Sequence, residues 1–95
     1  MNDKQKEIML IAQEECAEVV QAISKCFRFG FNDAYNGATN KEKLEEEVGD
    51  LLCMINMMMD NRIIDRLSVE FAIDAKSDKI RKWSNIFKNE ETLTA

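Results

Sequence analysis

The chain has 95 residues with 13 Lys plus Arg against 18 Asp plus Glu and no His, a net charge of −5 at pH 7. So short a chain has too little core to divide, so residues 1–95 are expected to form one domain. The acidic surface field repels phosphate backbones, which argues against nucleic acid as a partner. The absence of His excludes Ser-His-Asp triads, imidazole zinc sites and the Glu-x-x-His pairs of di-iron bundles.

An all-α fold is expected, because Pro is absent, Gly occurs three times, and apolar and charged residues make up 45% and 33%. Helix one is expected from about Lys4 to Phe27, with Met9, Ala12, Cys16, Val19, Ile23 and Cys26 forming the three-four seam of a packed helix. The stretch from Phe29 to Ala38 carries two Gly with Asn and Asp and reads as a connection that reverses the chain. Thr39-Asn40-Lys41-Glu42 reads as a capping box opening helix two, whose seam is Leu44, Val48, Leu51, Ile55 and Met58. From Leu51 to Met59 that helix is apolar on nearly every side, with Cys53 and Met57 pointing away from the seam, so a third helix or a second subunit must cover it.

Asp60-Asn61-Arg62 reads as a turn, and a third helix is expected to start near Asp65 or Ser68 and to run through Val69, Ala72, Ile73, Ile80, Trp83 and Phe87, with Trp83 in the core. Residues from about Asn89 to Ala95 carry no pattern and read as a frayed end. Cys16, Cys26 and Cys53, an odd number without Cys-x-x-Cys, read as small buried hydrophobes of a reduced, cytoplasmic protein that engages no membrane, since the charged N-terminus carries no apolar signal stretch.

Two motifs carry chemistry: Glu15-x-x-Glu18 in helix one and Glu47-x-x-Asp50 in helix two. Residues three apart are neighbours on a helix surface, so each pair presents two carboxylates to one point. At about 100° per residue, Glu15 and Glu47 each lie about 60°, and Glu18 and Asp50 about 120°, to the same side of their seams. In an antiparallel hairpin, equal offsets emerge on one flank, so all four acids are expected to converge. An all-oxygen set suits Mg²⁺, with Mn²⁺ as a substitute. Lys25 and Lys43 belong on the same flank toward the loop, a cradle for polyphosphate with the metal on bridging oxygens. Met54 falls between Glu47 and Asp50 in angle and is expected to line the pocket; Lys76 and Lys79 on helix three are candidates to close over the phosphates.

The segments from Glu14 to Lys25, with Glu15-x-x-Glu18, and from Leu44 to Leu52, with Glu47-x-x-Asp50, together with the basic run from Ala75 to Trp83, resemble the MazG-like family of all-α nucleoside triphosphate pyrophosphatases. The interval between the pairs is long for that family, which draws attention to the Phe29 to Ala38 connection. The resemblance implies a helical hairpin plus a third helix assembling into a four-helix-bundle-type homodimer or homotetramer. It also implies Mg²⁺-dependent hydrolysis of a (deoxy)nucleoside triphosphate to the monophosphate and pyrophosphate. It assigns metal and catalytic roles to Glu15, Glu18, Glu47 and Asp50. The alternative is a helical oligomerisation or regulatory module that keeps the fold without turnover.

Overall fold

The computed structural model describes residues 1–88 and places three α-helices in them, α1 (Asp3–Phe29), α2 (Asn40–Asp60) and α3 (Arg66–Trp83). The expectation for residues 89–95 lies outside the described residues. The chain divides into two compact units, the first Met1–Ile63 and the second from Ile64 onward. Among the described residues, no helix is long and apolar enough to cross a membrane.

The first unit is an antiparallel hairpin whose ends are fixed by local chemistry. Asn2 caps α1 by accepting from Gln5 N at 2.8 Å, while Gln5 Oε1 accepts from Asn2 N at 3.0 Å. This reciprocal box satisfies two N–H groups that the first turn leaves without partners. Gln5 also donates to Asn61 O at 2.9 Å, which ties the start of α1 to the end of α2. α1 stops at Gly30, whose φ of 104° is a conformation that favours Gly, and whose N–H reaches Cys26 O at 3.1 Å.

The connection contains a feature beyond the expected loop. Ala34–Tyr35 (β1) pairs antiparallel with Ala38–Thr39 (β2), register Ala34 to Thr39 and Tyr35 to Ala38. The two residues between them, Asn36 at φ 55° and Gly37 at φ 82°, supply the two positive angles of a tight hairpin turn. The ladder delivers Thr39 to the α2 cap, where the expected box forms: Glu42 N donates to Thr39 Oγ1 at 3.1 Å and Thr39 N to Glu42 Oε1 at 3.1 Å.

The seam between α1 and α2 differs from the expected one. Ile8, Ala12 and Ala22 are buried on α1 and Met54 on α2, with Ile11, Met57, Met58 and Ile63 packed against the Ile8, Ala12 and Met54 cluster. Met9, Cys16 and Ile23 are exposed, as are Val48 and Cys53, while Met57 is half-buried instead of pointing outward. Taking the buried positions as the new centre, both helices are turned about 50° toward their acidic flank. The apolar arc is wider than one seam, and the partner helix covers only one edge of it. The reading of Cys16 and Cys53 as buried therefore fails in the single chain; Cys26 is half-buried, with its Sγ 3.7 Å from Asn40 O.

In the second unit, Asp65 caps α3 by accepting from both Ser68 N and Ser68 Oγ at 3.0 Å. The helix ends at Trp83, earlier than expected, where Ser84 turns extended and its N–H closes on Ile80 O at 2.9 Å. The Arg81 guanidinium lies 4.3 Å from the Phe87 ring centroid. No residue of α3 is buried, and Trp83, expected in the core, is 84% exposed.

Candidate functional site

The rotation of the two helices decides what happens to the acids. Glu15 and Glu47 move to the middle of the seam and are half-buried, whereas Glu18 and Asp50 remain exposed at its edge. Carboxylate oxygens of Glu15, Glu47 and Asp50 lie within 4.8 Å of one another. Three of the four expected acids are thus brought to one point, from both helices. Glu18 is outside this set, yet its charge acts on Glu15.

Burial in the seam pushes the Glu15 carboxyl above its ordinary value, and repulsion from Asp50, Glu47, Glu18 and Glu14 adds in that order. Desolvation and like charge both disfavour the ionised form. A divalent cation at this point would favour the ionised form against both effects. The donor set fits a hard cation, being carboxylate oxygen throughout.

Glu47 also forms part of the wall of a cavity of about 740 Å³ at the loop end of the hairpin, so the acidic cluster borders it. Glu18, Lys25 and Lys43 line the same cavity, as do Phe29 at the end of α1 and Asp33 from the connection. Lys43 is shared with Glu46, Nζ to Oε2 3.4 Å, an exposed pair that an incoming anion can displace at little cost. Lys25 has no ion-pair partner among the described residues.

The remaining candidates are placed elsewhere. Met54, expected to line the pocket, is buried against Ile8 and Ala12 and is not on the cavity wall, because the helix rotation carries it to the seam. Lys76 and Lys79 are exposed on α3 in the second unit. Conversely, Phe29 and Asp33 enter the cavity wall without having been singled out, and the signal that could have found them was Asn36-Gly37, which makes the connection an ordered hairpin.

With this geometry in place, comparison with known families is decisive for kinship: the model of the MazG nucleotide pyrophosphohydrolase domain matches residues 3–85. The chain belongs to that family. The match takes in α1, the connection, α2 and α3, and therefore residues of both compact units. Membership suggests nucleotide pyrophosphohydrolase activity, and the family is typically metal-dependent, in keeping with the cluster of Glu15, Glu47 and Asp50. No curated protein and no solved structure matches the chain.

Proposed function

We propose that this MazG-family protein hydrolyses a (deoxy)nucleoside triphosphate to the monophosphate and pyrophosphate, with Mg²⁺ held by Glu15, Glu47 and Asp50. The observation that carries the reading is the sharing of Glu47 between the acidic cluster and a cavity that also presents Lys25 and Lys43. Bound Mg²⁺ would neutralise phosphate charge and lower the pKa of a coordinated water.

The chain's own residues divide the remaining work. Lys25 lies seven residues beyond Glu18, about 10 Å along α1, and lines the same cavity as Lys43, so both ammonium groups balance the charge of a phosphate chain held at the acids. Glu18 lines the cavity without belonging to the three-carboxylate set, which leaves its oxygens to accept the proton of the attacking water. The water oxygen bonds to the α-phosphorus and the bond from that phosphorus to the bridging oxygen breaks. Pyrophosphate leaves with the electron pair, its charge held by Lys25 and Lys43. Assembly into a homodimer or homotetramer is part of the proposal, since Val20, Phe27 and Leu52 leave large apolar surface on the hairpin uncovered.

The test is incubation with each common (d)NTP and Mg²⁺, assaying monophosphate and pyrophosphate together. Both products should appear in equal amounts, and Glu47→Gln should abolish them while helicity is retained. Absence of release with every nucleotide and with Mn²⁺ in place of Mg²⁺ would sink the hydrolase reading.

A further inference from the structure

The connection between α1 and α2 is built more firmly than a linker requires. Asn40 Nδ2 donates to Gly30 O at 2.8 Å, Asn40 N to Asp33 O at 3.0 Å and Lys41 N to Phe31 O at 2.9 Å, so the segment is pinned to the first turn of α2. The pinned segment walls the loop end of the cavity, whose volume is that of an ordinary small-molecule pocket. At this end of the cavity stand Phe29, the last residue of α1, and Asp33 of the segment. Arg28 covers one face of the Phe29 ring at 4.9 Å, and the ring is half exposed within the cavity wall. Asp33 lines the cavity, and its carboxylate has no ion-pair partner among the described residues.

A ligand's orientation follows from charge. From Glu18 to Phe29 the cavity wall follows eleven residues of α1, about 16 Å, enough to set base and ribose between the loop end and an α-phosphate beside the acids. The acids and lysines take the phosphate end, while Asp33 repels phosphates from the loop end. An aromatic ring suits the face of a base. A carboxylate only accepts, through two oxygens side by side, and so pairs with an edge that presents two adjacent donors. Guanine offers that edge through N1–H and the 2-amino group. Adenine and cytosine each place an acceptor beside their amino donor, and thymine and uracil flank one donor with two acceptors.

We propose that the loop end of this cavity is a nucleobase seat in which Phe29 stacks on the base and Asp33 accepts from N1–H and the 2-amino group of a guanine nucleotide. This rests on the reading of the site as one for nucleoside triphosphates. Asp33 and Phe29 are thereby specificity-determining residues.

The experiment measures binding of the α,β-methylene triphosphates of guanosine, inosine, adenosine and cytidine in the presence of Mg²⁺, beside pyrophosphate release from the natural nucleotides. Inosine lacks only the 2-amino group. The guanosine form should bind ten- to a hundredfold more tightly than the inosine form, the range for hydrogen bonds to a charged acceptor. Asp33→Asn, which preserves size and the backbone bonds of the segment, should bring that ratio close to one. Phe29→Leu should weaken all four forms together. Equal affinity for the guanosine and inosine forms, or a ratio that survives Asp33→Asn, overturns the seat. Guanosine selectivity that depends on Asp33 without pyrophosphate release overturns the hydrolase reading and leaves the seat standing. Release without base discrimination does the reverse, and failure to bind any analogue overturns both.

Discussion

Glu15 and Glu47 occupy seam positions of a helical hairpin, where apolar side chains would pack without electrostatic cost. Half-buried carboxylates that face one another are destabilising when ionised and unmatched. Glu15 shows the consequence, held above its ordinary value first by burial and then by Asp50, Glu47, Glu18 and Glu14. Between that ordinary value and the raised one, folded Glu15 keeps a proton that the unfolded chain has released. The folded state then binds more protons, so metal-free stability should fall as pH rises through that window and level off above it. Glu15→Gln should raise the melting temperature of the metal-free protein at neutral pH and flatten this dependence. Saturating Mg²⁺ should stabilise the wild type, by about 2.7 kcal/mol at a hundred times its dissociation constant, and should have little effect on the variant. Thermal melts with chelator and with Mg²⁺, from acid to neutral pH, check all three. A wild type indifferent to Mg²⁺ would remove the metal from these residues.

At the scale of the element, the termini carry much of the information. The end of α2 is a Schellman arrangement: Ile63 N donates to Met58 O at 2.9 Å and Arg62 N to Met59 O at 3.1 Å, with Ile63 and Met58 both packed on the core. Its left-handed position is held by Arg62 at φ 61°, where Gly is the unstrained choice. Arg62→Gly should therefore stabilise the fold by about 1 kcal/mol, read as a rise in the melting midpoint of several degrees. Thr39→Ala should act oppositely, costing about 1 kcal/mol through the lost cap. The Glu42 carboxyl in that box is held below its ordinary value, first by the Thr39 N–H and then by the Thr39 hydroxyl. Its contribution is present above the ordinary value and is lost as pH falls through the lowered one; Thr39→Ala keeps the backbone donor and loses the hydroxyl, so it should weaken this pH dependence only in part. The Thr39 box was legible because Thr-x-x-Glu precedes an apolar run. Asn2 and Gln5 form the same device, but it stands apart from the apolar period, which begins several residues later. Three of the four clustered acids were legible from spacing alone. The seam was not, because Met9, Cys16, Ile23 and Val48 fit the three-four period as well as Ile8, Ala22 and Met54 do. Periodicity gives the width of an apolar arc, and only packing shows which edge is covered.

For the whole molecule, that uncovered edge is the strongest constraint left. Relative to the observed seam, Glu18 and Asp50 lie about 75° to one side, while Val20 on α1 and Leu52 on α2 lie about 125° to the other. By the two-fold relation of the hairpin, equal offsets emerge together, so the first unit has an acidic flank and an apolar flank facing away from it. Val20 is 67% exposed, Leu52 53% and Phe27 87%, and Met9, Cys16, Ile23 and Val48 border them. A continuous apolar strip of this kind is unfavourable in water and marks a surface made for burial. A second copy would cover it with an identical strip, in an isologous contact that leaves both acidic flanks open. Sedimentation equilibrium at micromolar concentration should accordingly find a dimer or tetramer. Val20→Glu with Leu52→Glu should shift it to monomer, since four charges would then meet across the two-fold axis. A wild type that sediments as a monomer would contradict this assembly, and the strip would then need another partner.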